Sequence, residues 1–212
     1  MTGKTAIRHQ PKPRGGRPSA EEAALIADRI VDAAWEIVLE SGPDALSFDR
    51  LAIAAAAGKA TIYARFPSKI ELARGILERR IALVAHRFAD LPRGGNLEED
   101  LAHLADRVAS LMAAPPGRAL ERLTDWLALA DEQVGREARS WLYGRSTALI
   151  ADQLTEIAER WGGDVSEPEI TAQFWLESVF GHARMRHPGE ALCDWSHRHA
   201  RAFARAFCLH GA

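Results

Sequence analysis

The 212-residue chain has two cysteines, Cys193 and Cys208, and four lysines, none of them beyond residue 70. Two cysteines at that spacing supply neither a disulfide framework nor a structural zinc knuckle, and a reducing, cytoplasmic setting is expected. No apolar run approaches 18 residues, which excludes a helical membrane span. The first residues lack the continuous apolar core of a secretory signal. No stretch alternates apolar and polar residues with β-branched enrichment, so no sheet is expected. Catalytic signatures are also absent: there is no HExxH, no GxSxG, no P-loop and no GxGxxG after a strand. Asp194, His197 and His199 cluster, but two histidines two apart on a helix point in different directions, so no metal site is expected. The sequence is read as a non-enzyme without a cofactor.

What is present is helical. Hydrophobic residues make up 47% of the chain, enough for an ordinary core. The formal net charge of −2 is unevenly spread. Residues 1–18 hold Lys4, Arg8, Lys12, Arg14 and Arg17 with no acid, which leaves the remainder at −7. Such an arm suits a polyanion, and a solvated tail would read the same way.

Ser19 and Glu22 form a capping box that opens a helix with Ile26, Ile30, Ala34, Ile37 and Val38 on one face. Ser41-Gly42-Pro43 ends it. A short helix capped by Ser47 follows through Phe48, Leu51, Ala52 and Ala55. A break at Ala56-Ala57-Gly58 leads to a third helix, Lys59 to Phe66, stopped by Pro67. Ser68 and Glu71 form a second capping box, opening a helix to about Ala89. Further breaks fall at residues 91–95, 114–117, near Gly135, at 162–163 and at 187–189, with helices of about 15–28 residues between them, a length usual in bundles. The expected fold is all-α: a flexible basic arm over 1–18, a three-helix helix-turn-helix head over 19–67, and a helical bundle over 68–212.

Residues 47–69, SFDRLAIAAAAGKATIYARFPSK, carry the chemistry. Small residues at the turn let two short helices cross closely. With Leu51, Ala55, Ile62 and Phe66 turned inward, Lys59, Ala60, Thr61, Tyr63, Arg65 and Lys69 face outward. A helix end with a lysine, a hydroxyl and an aromatic hydroxyl suits a DNA major groove. A small three-helix core with no ligand is the competing reading.

This segment resembles the helix-turn-helix of the TetR (tetracycline-repressor) family, whose usual form is I-A-x-x-A-G-V-S-K-x-T-I/L-Y-x-x-F-x-S/N-K. Leu51, Ala52, Ala55, Lys59-Ala60-Thr61-Ile62-Tyr63, Phe66, Ser68 and Lys69 match it in order. Ile30 to Ala34, Gly42 to Ser47, and Arg14 to Ser19 resemble its flanks. The turn departs from the pattern, with Ala56, Ala57 and Gly58 in place of Gly, Val and Ser. Ala56 costs on the order of 1 kcal/mol if that position needs a positive φ. Gly58 caps only a few tenths of a kcal/mol worse than Ser.

The resemblance implies a dimeric, ligand-responsive regulator, most commonly a repressor, that leaves a roughly palindromic double-stranded operator when a small-molecule effector binds. It implies phosphate contacts from Thr61, Tyr63 and Lys69, and base contacts from Lys59, Ala60 and Arg65. Backbone contacts would come from Ser47 and Arg50, and minor-groove contacts from Arg14 and Arg17. It also implies a homodimer through the last two long helices. The facing candidates are Ala172, Leu176, Val179 and Ala183 on one helix, with Ala200, Phe203, Ala204 and Phe207 on the other. The same stripes would serve equally as the chain's own core. Phe88, Met112, Trp126, Trp141, Tyr143 and Phe174 are candidate apolar ligand contacts, with His103, Arg107 and His182 as polar anchors. The alternative function is a helical small-molecule sensor or adaptor with weakened or lost DNA binding, motivated by the altered turn.

Overall fold

Helices begin where a short polar side chain can take up free first-turn amides. The computed structural model describes residues 20–85, 88, 91–185 and 192–207. The arm over 1–18, with Arg14 and Arg17, and the cap Ser19 lie outside them. Among the described residues the elements are all helical. They are α1 (Ala20–Ser41), a 3₁₀ turn (Pro43–Ala45), α2 (Phe48–Ala54), α3 (Lys59–Tyr63) and α4 (Lys69–Ala85), then α5 (Leu97–Ala113), α6 (Pro115–Ala130), α7 (Glu132–Arg160), α8 (Pro168–Met185) and α9 (Leu192–Ala206).

Ser47 Oγ accepts from the Arg50 amide at 3.1 Å, and Ser68 Oγ from the Glu71 amide at 3.2 Å. Asn96 and Asp131 cap α5 and α7 in the same way. Gly42 has φ +81°, the left-handed geometry that lets α1 stop and the chain turn into Pro43. The break expected near Gly135 falls instead at Asp131, and Gly135 lies inside α7. A Cβ there would sit 2.3 Å from the Cα of Ala128, so this glycine allows close packing of α7 on α6 and does not end a helix. Bare sequence shows a helix-breaking residue but not the neighbour that requires it.

Two apolar clusters organise the chain. The first joins Ile30, Val31, Ala34, Trp35, Ile37 and Val38 of α1 to Leu51 of α2, Ala55 after it and Ile62 of α3. It continues into Leu72, Ala73, Ile76 and Leu77 of α4, Ala119, Leu123 and Leu127 of α6, and Ala138 of α7. The apolar core of the head therefore runs past residue 67 and takes in one face of α6. The second cluster joins α5, the C-terminal half of α7, α8 and α9 around Leu104, Leu154, Trp175 and Phe203.

Charged clasps reinforce the joint. Arg79 of α4 donates from Nε and Nη2 to both oxygens of Asp32 in α1, each at 2.7 Å, and its Nη1 lies 2.9 Å from Asp28. Arg80 also pairs with Asp32, and its guanidinium lies 5.1 Å from the Trp35 ring centre. The hydrogen bond from Arg79 is the main reason the Asp32 carboxyl is held below its ordinary pKa. Arg74 of α4 reaches Glu137 of α7 at 3.2 Å. α4 is thus tied to the head on one side and to the α6–α7 pair on the other.

Candidate nucleic-acid interface

The α2–turn–α3 unit is built by burying one face and leaving the other to solvent. Leu51 and Ile62 are fully buried and Ala55 nearly so, fixing both short helices on the first apolar cluster. The opposite side leaves Lys59, Ala60, Thr61, Tyr63 and Lys69 exposed, with Arg65 half-buried. The Tyr63 ring packs on Phe48 of α2 with centroids 4.4 Å apart, so its exposed hydroxyl has a defined position. Regular helix ends at Tyr63, but the Phe66 amide still donates to the Ile62 carbonyl at 2.8 Å, and the helical path continues to the Pro67 stop.

The turn is closed by backbone bonds. The Ala57 amide donates to the Ala52 carbonyl at 3.1 Å, and the Thr61 amide to the Gly58 carbonyl at 2.9 Å. Ala56 has φ +46°, the one positive φ on a non-glycine residue among those described. The left-handed conformation is therefore required at the place where the sequence supplies a Cβ. Ala56→Gly is expected to stabilise the chain by about 0.5–1 kcal/mol, the strain relieved less the added freedom of the unfolded chain. A urea titration reads this directly, and a lowered midpoint would show that the turn is unstrained.

Ser47 and Arg50 are placed less simply. Ser47 Oγ is the α2 cap. Arg50 turns back toward α1, donating to Ser41 Oγ at 3.1 Å and lying 3.8 Å from Glu40. Lys59 pairs with Asp49, an acid that the sequence reading passed over. The hydrogen bond that Lys59 donates to that carboxylate raises its pKa, so the ammonium stays fully charged.

The candidate ligand residues do not converge. Phe88 and Met112 belong to the second apolar cluster, whereas Trp126 packs against the first. Trp141 and Phe174 face outward. Tyr143 donates to Glu177 at 2.9 Å, and burial followed by that bond pushes its pKa up to about 12. His103 Nδ1 lies 3.0 Å from the Pro92 carbonyl. Arg107 lies half-buried on α5. A groove of about 670 Å³ lies elsewhere, between α7 and the start of α8, with Asp152, Glu156, Glu159, Glu167 and Glu169 among its walls.

His182 belongs to an aromatic column. Its ring stacks on Trp195 at 3.8 Å, Trp195 stacks on His199 at 4.7 Å, and Phe203 and Phe207 continue the run. Burial, and secondarily the neighbouring His182, lower the His199 pKa to about 4. The folded state keeps this imidazole neutral while the unfolded chain binds a proton near pH 6.5. Stability is therefore lost as pH falls through 6.5 and the loss is complete below about 4, roughly 3 kcal/mol in all. Chemical denaturation of wild type and His199→Phe across pH 7 to 4 checks this: the variant should show a flatter dependence, and parallel curves would contradict it.

The dimer candidates require a correction. Ala172, Leu176 and Val179 on α8, with Ala200, Phe203 and Ala204 on α9, are buried within the subunit's second cluster, and Ala183 and Phe207 pack against it. The six buried ones face the chain's own core. The outward stripe of α8 is Ile170, Phe174, Gly181 and Met185, with Phe174 60% and Met185 80% exposed.

Two short helices crossing over a turn of small residues, packed on a longer helix with hydroxyls and cations outward, define a helix-turn-helix head. Residues 30–76 match the family model of bacterial regulatory proteins of the tetR family. The head is thus of the TetR type over residues 30–76. Uncharacterized HTH-type transcriptional regulators of Mycobacterium bovis and Mycobacterium tuberculosis are 39% identical to it over 90 residues. That match covers 42% of this chain and 40% of each relative. The fold is similar to the crystal structure of a regulator from Mesorhizobium loti classed with the TetR family. The TM-score there is 0.68 and the identity 22%, over 90% of this chain and 98% of that one. It is also similar to the transcriptional regulator FadR of Bacillus subtilis, solved in complex with stearoyl-CoA. In that case the TM-score is 0.59 and the identity 18%, over 83% of this chain and 96% of that one. Among the described residues no helix is long and apolar enough to cross a membrane.

Proposed function

We propose that the chain is a dimeric transcriptional regulator that inserts α3 into the major groove of a roughly palindromic operator and is released by a small-molecule effector. The observation that carries the reading is the solvent side of α3, where Lys59, Thr61 and Tyr63, and Lys69 after Pro67, are all exposed on a head fixed from behind by Ile62 and Leu51. Thr61, Tyr63 and Lys69 hold phosphates, while Lys59 and Ala60 reach base edges. Arg65, half-buried, stands at the rim of that face. The arm with Arg14 and Arg17 adds charge in an adjoining minor groove.

The dimer reading rests on the outward stripe of α8. Phe174 and Met185 are large apolar side chains in solvent, and Gly181 between them has nothing within 4 Å of an added Cβ, which leaves room for a second helix. Two heads one helical turn apart then read the two half-sites.

The effector reading is supported by the likeness to FadR with its stearoyl-CoA, and by the joint through α4. A change in α6 or α7 reaches the head directly through Leu123 and the Arg74–Glu137 pair. The acidic walls of the groove beside α8 would repel a polyanion such as an acyl-CoA, so that groove does not suit such an effector. The alternative of a sensor with a disarmed head is favoured only by strained Ala56. If DNA affinity rises steeply in Ala56→Gly combined with Gly58→Ser, the native head is impaired; an unchanged affinity leaves it competent.

Selection from a pool of random duplexes tests the whole reading. The expected product is a site with two related half-sites about one helical turn apart. A pool that remains random would reject DNA reading by this head.

A further inference from the structure

Asp49 is the second residue of α2 and Lys59 the first of α3, and their side chains form an ion pair across the turn. Both stand in solvent, at 75% and 58% side-chain exposure. An exposed lysine–carboxylate pair adds little to stability, and an acid in the first turn of so short a helix contributes only about 0.3–1 kcal/mol, so upkeep of the fold accounts for little of what an acid at this spot does. The cost to binding is plain. Residues 20–76 contain nine acids and six bases, so the head has no cations to spare for phosphates. Arg50 is already turned away to Ser41 and Glu40. Lys59, at the leading end of the recognition helix, is held by an acid as well.

We infer that Asp49 is a specificity-determining residue: with Lys59 it forms a donor–acceptor pair that reads one G·C base pair of the operator, and it withholds Lys59 from phosphates. The inference rests on α3 entering the major groove, as proposed above. A lysine alone is undiscriminating there, since its ammonium donates equally to guanine, to thymine O4 and to phosphate oxygen. Beside a carboxylate the choice narrows. The ammonium has three donors and keeps at least one for guanine N7 or O6 while bonded to Asp49. The carboxylate, an acceptor only, accepts a hydrogen bond from the N4 amino group of the paired cytosine. The major-groove edge of G·C runs acceptor, acceptor, donor, which this pair complements in one orientation. Thymine O4 or a phosphate facing Asp49 would set two acceptors against each other. Asp49 thus favours one base pair and penalises non-specific contact together.

The test compares wild type with Asp49→Asn in the full-length protein. Both are run through random-duplex selection, then titrated across salt against the selected site, its single-base variants and a scrambled duplex. Asparagine keeps the shape of the side chain, and thermal unfolding checks that the head is intact. Wild type should prefer G·C at one position of each half-site by on the order of tenfold or more. In Asp49→Asn that preference should fall to about twofold while the other positions hold. Binding to scrambled duplex should tighten, with a salt slope steeper by roughly one per head. If the variant retains every base preference and the same scrambled-duplex affinity, the role of Asp49 is overturned while the head reading stands. If wild type enriches no site, both are overturned.

Discussion

Phe174→Glu combined with Met185→Glu is expected to turn the protein into a monomer and to weaken operator binding at least about a hundredfold, since the second head no longer binds at the effective concentration set by the first. Both side chains are exposed in the subunit, and apart from the contact of the Phe174 ring with Phe207, centroids 6.0 Å apart, their loss takes little from its own core. Thermal stability of the isolated subunit should change by no more than about 1.5 kcal/mol, the contribution of one aromatic contact at a surface site. Leu176→Ala is the contrasting change. Leu176 is buried within the second cluster, and truncating it should cost about 2–5 kcal/mol of folding stability. Sedimentation or light scattering separates the two faces of α8. A dimer that survives both glutamates would place the interface elsewhere.

Tyr63→Phe combined with Lys69→Ala is expected to lower specific DNA affinity by at least about a hundredfold without unfolding the head. A hydrogen bond to a charged group contributes about 1.5–3 kcal/mol, and a dimer loses each contact twice. The phenylalanine keeps the ring on Phe48, so the fixed position of α3 is preserved. The salt slope should also become shallower by about two, one for each lysine. Affinity within threefold of wild type would show that these residues are not phosphate contacts.

The head was legible because its constraints are local. Capping residues, the inward spacing of Leu51, Ala55 and Ile62, and the stop at Pro67 each act within a few residues, and together they place α2 and α3. Even the weak point could be read: Ala56 was suspect as a substitute for glycine, and its φ of +46° is the conformation that makes it so. The body was less legible, for physical reasons. α8 carries apolar residues on nearly every face, so periodicity could not distinguish the stripe of Ala172, Leu176 and Val179, which is buried, from that of Ile170, Phe174 and Met185, which is exposed. The same holds for Trp126, an aromatic on a helix whose apolar face joins the head and not the body. Asp49 was missed because its partner is ten residues away across a turn, beyond any helical spacing rule. Arg79 and Asp32 meet only because α1 and α4 pack together.

Fluorescence anisotropy of wild type on a selected duplex and on a scrambled duplex of equal length, across about 50 to 200 mM salt, tests DNA reading by α3 most directly. A sequence-reading head predicts a preference for the selected duplex of roughly a thousandfold or more that survives at the upper salt, with both affinities falling along their own salt slopes. Equal, weak binding to the two duplexes that vanishes as salt rises would contradict it, leaving the basic arm as a non-specific anchor and α3 as a structural helix.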